Sequence, residues 1–149
     1  MGTEDESGAG GDFRFVYAAF VVASVGMLMS VFFSEVMKLP PCTLCWYQRI
    51  CLFPLVPVFA VGIVRRDPGV VHYALPLVVV GLGISIYHNL LYYGVVPETL
   101  SPCSQGVSCT EVQLEWLGFV TIPLLALLGF LTLLGSLLAQ LRDGARSKT

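Results

Sequence analysis

Residues 15–37 read FVYAAFVVASVGMLMSVFFSEVM, and whether this run is a membrane helix or a removable signal decides how often the chain crosses a bilayer. A secretory signal opens with a basic segment and closes on a small-residue cleavage site. Here the preceding residues include Glu4, Asp5, Glu6 and Asp12, and the run ends at Glu35 and Lys38 with no such site. A spanning helix needs about 20 apolar residues, and this run supplies them. It reads as a retained transmembrane helix.

Three further runs match it in length and lack of charge: residues 44–64, 70–93 and 117–141. Each is apolar all round, so length rather than periodicity identifies it. The whole chain is 56% hydrophobic and only 12% charged, about half the charge of a soluble domain. Its mean hydropathy is +0.80. The expected fold is therefore all-α, an integral membrane four-helix bundle built from residues 15–141. A net charge of -2 without a basic patch excludes nucleic acid as a partner and leaves membrane lipid as the surroundings.

Basic residues orient the bundle, because cytoplasmic segments carry the excess of Lys and Arg. With four alternating spans, Arg14, Arg65, Arg66, Arg142, Arg146 and Lys148 fall on one side and Lys38 alone on the other. Both termini are then cytoplasmic. Residues 1–14, rich in Gly and acids, read as a disordered leader, and residues 142–149 as a tail. Loops 38–43 and 94–116 face outward. Trp46, Tyr47, Tyr92, Tyr93 and Trp116 gather at that outer boundary, where aromatic belts form.

Of five cysteines, Cys42, Cys45, Cys103 and Cys109 fall on this outer side, the compartment where disulfides persist. Cys42-Thr43-Leu44-Cys45 follows Pro40-Pro41 and opens a helix, and a helix N-terminus favours thiolate. The two-residue spacing suits a disulfide that opens and closes, although a static clip has the same spacing. Cys103 and Cys109 flank five residues that include Gly106, either an exchangeable loop disulfide or a loop staple. Thr110-Glu111-Val112-Gln113 resembles a capping box and would start a short interfacial helix toward Trp116. Four cysteines could also bind zinc, but an oxidising compartment and a nearby arginine argue for no metal. Cys51, two turns into the second span, reads as a packing residue.

Two polar groups stand out inside the spans. Arg49 lies one turn below Cys45 on the same face, at a depth where a charge is costly and usually functional; snorkelling to the headgroups is the alternative reading. His88 lies on the third span at a depth similar to Arg49, about 7–9 Å below the outer boundary at 1.5 Å per residue. It is either a satisfied core histidine or part of the same site.

The stretch Pro41-Cys42-Thr43-Leu44-Cys45-Trp46-Tyr47-Gln48-Arg49 resembles the disulfide bond formation protein B family (DsbB), in particular its shorter, BdbC-like branch. Tyr87-His88 and Glu115-Trp116-Leu117-Gly118-Phe119-Val120-Thr121-Ile122-Pro123 extend the likeness, which covers all four spans. The resemblance implies a quinone-dependent protein thiol:disulfide oxidoreductase of the plasma membrane, with its cysteines on the periplasmic or extracellular side. Such an enzyme reoxidises a DsbA-like, thioredoxin-fold partner and reduces ubiquinone or menaquinone. It further implies that Cys42 and Cys45 form the quinone-linked pair, with Cys45 and Arg49 at the quinone and His88 near it. Cys103 and Cys109 then receive electrons from the partner. Their spacing is the short one of the BdbC-like branch, so the exchange between pairs need not follow the longer members. Two rivals are a vitamin K epoxide reductase-like enzyme, whose Cys-x-x-Cys belongs near the end of a late helix, and a non-catalytic membrane protein with stapled loops.

Overall fold

In hydrocarbon a backbone must satisfy its own hydrogen bonds, so each long apolar run is expected to be helical. The computed structural model of the chain describes residues 13–97, 99, 115–116 and 120–146. Its helices are α1 (Arg14–Glu35), α2 (Thr43–Leu52), α3 (Leu55–Arg65), α4 (Val70–Tyr92) and α5 (Ile122–Arg146). Together they form four segments long and apolar enough to cross a membrane, with α2 and α3 sharing one, Thr43–Arg65. The expected all-α architecture of four spans is found. Cys103, Cys109, the capping-box segment 110–113, residues 1–12 and Lys148 lie outside the described residues.

The second span, expected as one continuous helix over 44–64, is broken. Pro54 and Pro57 have no N–H, so neither can bond the carbonyl one turn back. Phe53 N–H still reaches Arg49 O at 2.9 Å, but Phe53 O is taken by Val56 N–H at 3.3 Å, a tighter turn. The helical hydrogen-bond ladder is interrupted at this point, and the two halves choose different neighbours. α2 packs chiefly on α4, whereas α3 packs chiefly on α1.

The last span starts five residues later than the apolar run suggests. Glu115–Trp116 (β1) pairs antiparallel with Val120–Thr121 (β2), and the helix begins only at Ile122. Pro123 then occupies the first turn, where its missing donor is harmless. At its other end α5 outruns the apolar segment, and Asp143 approaches Arg14 at 3.6 Å. An exposed pair of this kind adds little stability, but it shows that α1 begins and α5 ends at one end of the bundle.

Consecutive spans pack side by side, and α5 closes the ring against α1. Helices in lipid associate through close packing rather than through expulsion of water, so small residues at the seams matter. Ala19, Ala23 and Ala74 are fully buried there. Gly81 is tighter still: a methyl group at that position would overlap the ring of Phe130. α4 and α5 can meet this closely only because position 81 carries no side chain. Outward positions such as Leu28, Val61, Val80 and Leu128 remain apolar and exposed, as a surface facing acyl chains would be.

Candidate thiol site and cavity

Cys42 is the N-cap of α2. Pro40 and Pro41 precede it, its backbone is extended (φ -70°, ψ 170°), and its Sγ accepts from Cys45 N–H at 3.5 Å. A sulfur thus occupies the place of the Ser or Asp oxygen that caps most helices. One turn on, Cys45 Sγ lies 3.1 Å from Cys42 Sγ, so a shift of about 1 Å brings the pair to disulfide bonding distance. The hydrogen bond from the Cys45 thiol holds the Cys42 thiol well below the ordinary thiol range. His88 and the Cys45 backbone N–H act in the same direction, and burial opposes them.

The side chains around the pair divide by face. Gln48 and Arg49 are neighbours in sequence and so point about 100° apart on α2. Gln48 turns toward α4, where its Nε2 lies 3.3 Å from His88 Nδ1. His88 Nε2 in turn lies 3.8 Å from Cys42 Sγ. Both side chains are buried, at 7% and 2% exposure, where polar groups are held by partners such as these. Next to them Asn89 donates to Ser85 O at 2.8 Å and to Pro123 O at 2.9 Å, tying α4 to the start of α5. Cys42 itself packs with Leu91 and Val96, where the chain leaves α4 toward Cys103.

Arg49 turns the other way. Its Nη2 donates to Ser30 O at 2.8 Å and to Ser34 Oγ, both on α1. Its guanidinium carbon lies 5.4 Å from the centroid of the Trp46 ring, within cation–π range. Between α1, α2 and α5 lies a cavity of about 430 Å³. α2 packs chiefly on α4, and the cavity lies on its other side. Cys45, Gln48, Arg49, Ser30 and Ser34 form its polar edge, and residues such as Val25, Phe33, Leu125 and Phe130 form its apolar walls.

The residues singled out from the sequence are therefore partly gathered and partly separated. Cys42, Cys45 and His88 form one cluster, while Cys45 and Arg49 share the cavity. His88 does not line that cavity; it faces Cys42. Gln48, which is not among the residues singled out from the sequence, links the two faces. Its one signal was a carboxamide inside an apolar helix, three residues after Cys45. The donor atoms of Cys42, Cys45 and His88 all lie within 4.8 Å of one another, close enough to hold a metal ion. For that His88 Nε2 would need a free lone pair, which it has only when the ring proton sits on Nδ1, the nitrogen that faces Gln48 Nε2 at 3.3 Å.

Comparison with known proteins agrees with this chemistry. The family model described as "Disulfide bond formation protein DsbB" matches residues 13–140. "Probable disulfide formation protein C 2" of Bacillus cereus is 47% identical over 116 residues, covering 78% of this chain and 83% of the relative. "Disulfide bond formation protein C" of Bacillus subtilis is 42% identical over 120 residues, covering 80% and 87%. "Probable disulfide formation protein" of Metapseudomonas resinovorans is 41% identical over 113 residues, covering 75% and 78%. No solved structure matches. With four spans and a paired thiol site, the chain is a multi-pass membrane thiol oxidoreductase and belongs to the DsbB family of disulfide bond formation proteins.

Proposed function

We propose that the protein reoxidises a DsbA-like, thioredoxin-fold partner and hands the electrons to a membrane quinone. The observation that carries this reading is the two-sided setting of the cysteine pair. Cys42 packs beneath Val96, at the start of the segment that leads to Cys103, while Cys45 borders the cavity with Arg49. Electrons can thus arrive at one sulfur and leave from the other.

The cavity fits a quinone by its lining. One polar edge would serve the oxygens of the head group, and long apolar walls would serve the ring and the isoprenoid chain. Arg49 and Gln48 would hold the head group, since both described hydrogen bonds of Arg49 run through Nη2 and leave its other N–H groups for a ligand. A quinone held there would supply an acceptor of two electrons and two protons. The bundle sits in the plasma membrane with both termini cytoplasmic and the cysteines on the outer side.

Thiol exchange then runs from the partner through the loop pair to Cys42 and Cys45. A partner thiolate attacks the Cys103–Cys109 disulfide, and the partner's second thiol displaces that mixed disulfide, leaving the partner oxidised and the loop pair reduced. A loop thiolate next attacks Cys42, and Cys45 leaves as thiolate. The second loop thiolate attacks the first loop sulfur, which restores Cys103–Cys109 and releases Cys42 as thiolate. Loss of two electrons from the Cys42 and Cys45 sulfurs re-forms their disulfide, and an acceptor taking those electrons would also take up two protons, matching the two that the partner's thiols give up. The test is a trap. Alanine at Cys109 is expected to leave Cys103 joined to the partner, or the reverse variant to leave Cys109 joined, as an adduct on non-reducing gels that dithiothreitol dissolves. No adduct from either variant would mean that the loop pair is a staple.

A further inference from the structure

The relay requires Cys42 to leave as a thiolate when the loop disulfide re-forms, and good leaving thiols are those whose thiolate is stabilised. Three groups from two elements supply that stabilisation. From α2 come the Cys45 backbone N–H and, once that sulfur has taken up a proton, the Cys45 thiol, and from α4 comes His88. The other charged or titratable neighbours are turned away or at the margin. Arg49 is committed to Ser30 and Ser34, and Tyr87 lies at the edge of the Cys42 cluster. His88 helps only if its Nε2 carries a proton, and a neutral imidazole has one N–H to place on either nitrogen. Its other nitrogen therefore decides the matter.

That nitrogen faces Gln48 Nε2 at 3.3 Å. A carboxamide nitrogen only donates, so Nδ1 must accept and the proton must sit on Nε2, aimed at Cys42 Sγ. The contact is buried at 7% and 2% exposure, where an unsatisfied donor is costly. We propose that Gln48 is a positioning residue: it fixes the Nε2–H tautomer of His88, which then donates to the Cys42 thiolate as that sulfur is released. This rests on the proposed relay for its purpose, but its geometry and its test need neither quinone nor partner. The line Gln48–His88–Cys42 crosses from α2 to α4 and back, and it requires the lean of α2 toward α4.

The chain has two histidines, His72 and His88, so nitrogen-15 NMR of the full-length, reduced, histidine-labelled protein reads the tautomer directly, with His72→Asn providing the assignment. The expected spectrum of the unaltered protein shows His88 protonated at Nε2 and bare at Nδ1. In Gln48→Met, close in shape but without a donor, that preference is expected to disappear. Alkylation of Cys42 at acidic pH, followed on its peptide by mass spectrometry, should slow about threefold to tenfold, the loss of roughly one hydrogen bond. In a His88→Phe background Gln48→Met should change the alkylation no further, because Gln48 acts through the imidazole. A proton on Nδ1 in the unaltered protein would overturn the proposal, and that observation requires no variant to fold. Equal slowing with and without His88 would overturn it as well. The expected tautomer in a protein that reduces no quinone would leave this inference standing and remove the relay, so the two failures are distinguishable.

Discussion

Alanine in place of Cys42, Cys45, Cys103 or Cys109 abolishes turnover with reduced partner and quinone, while Cys51→Ala leaves it nearly unchanged: this is the expected outcome of assaying the five single variants. The first two sulfurs are 3.1 Å apart and serve different neighbours, so neither can replace the other. Without Cys42 the loop pair has no sulfur to attack. Without Cys45 no disulfide can re-form and no thiol borders the cavity. Cys51 is a different case. It is buried with Leu55 and Phe59 in the core cluster, and its removal takes away a small packing group without touching the relay. Full activity in any of the four relay variants would break the scheme at that sulfur.

Arg49→Gln is expected to raise the apparent KM for quinone roughly tenfold to hundredfold, since a hydrogen bond from a charged donor is worth about 1.5–3 kcal/mol. Arg49→Lys should recover only part of this, because an ammonium lacks the planar fork. Exchange between the partner and the loop pair, measured without quinone, should be almost unchanged. The hydrogen bonds from Arg49 to Ser30 and Ser34 on α1 add a control. Ser34→Ala loosens the guanidinium without removing its charge, so its effect on KM should be smaller than that of Arg49→Gln. If Arg49→Gln instead leaves the quinone dependence intact and lowers only the amount of inserted protein, the arginine serves to tie α2 to α1.

Much of the architecture was legible before the structure because membranes impose a simple rule: an uncharged run of about 20 residues must be helical. The first and third spans end within two residues of where their apolar runs end. Pro54 and Pro57 were visible in the sequence, yet the apolar run around them is unbroken, and a proline can be absorbed by a spanning helix. Pro76 shows as much, lying inside α4. What distinguishes the second span is two prolines three residues apart, which leave consecutive turns short of donors. The cavity could not be read from sequence at all, since it depends on which neighbour each half of that span leans against.

The site was legible where chemistry and local spacing coincide and illegible where it depends on facing. Cys42 and Cys45 lie one helical turn apart, so their meeting follows from the sequence alone. Arg49 and His88 were paired by their similar depth, but depth says nothing about direction around a helix. Arg49 turns to α1 and His88 meets Cys42 through the α4 side. Gln48 was missed because an uncharged carboxamide raises no alarm beside an arginine. Its meaning appears only when α4 brings an imidazole against it.

The central claim is that thiol oxidation and quinone reduction are one process in this protein. Purified protein, a reduced DsbA-like partner and a soluble quinone analogue in an anaerobic cell test it directly, with partner thiols and quinone absorbance followed together. A DsbA-type partner has a potential near −120 mV, so an acceptor of higher potential is needed to draw the reaction forward. The expected result is one quinone reduced for each partner disulfide formed, with both rates vanishing together in Cys45→Ala. Partner oxidation that proceeds without quinone loss, or quinone loss that continues in Cys45→Ala, would contradict it.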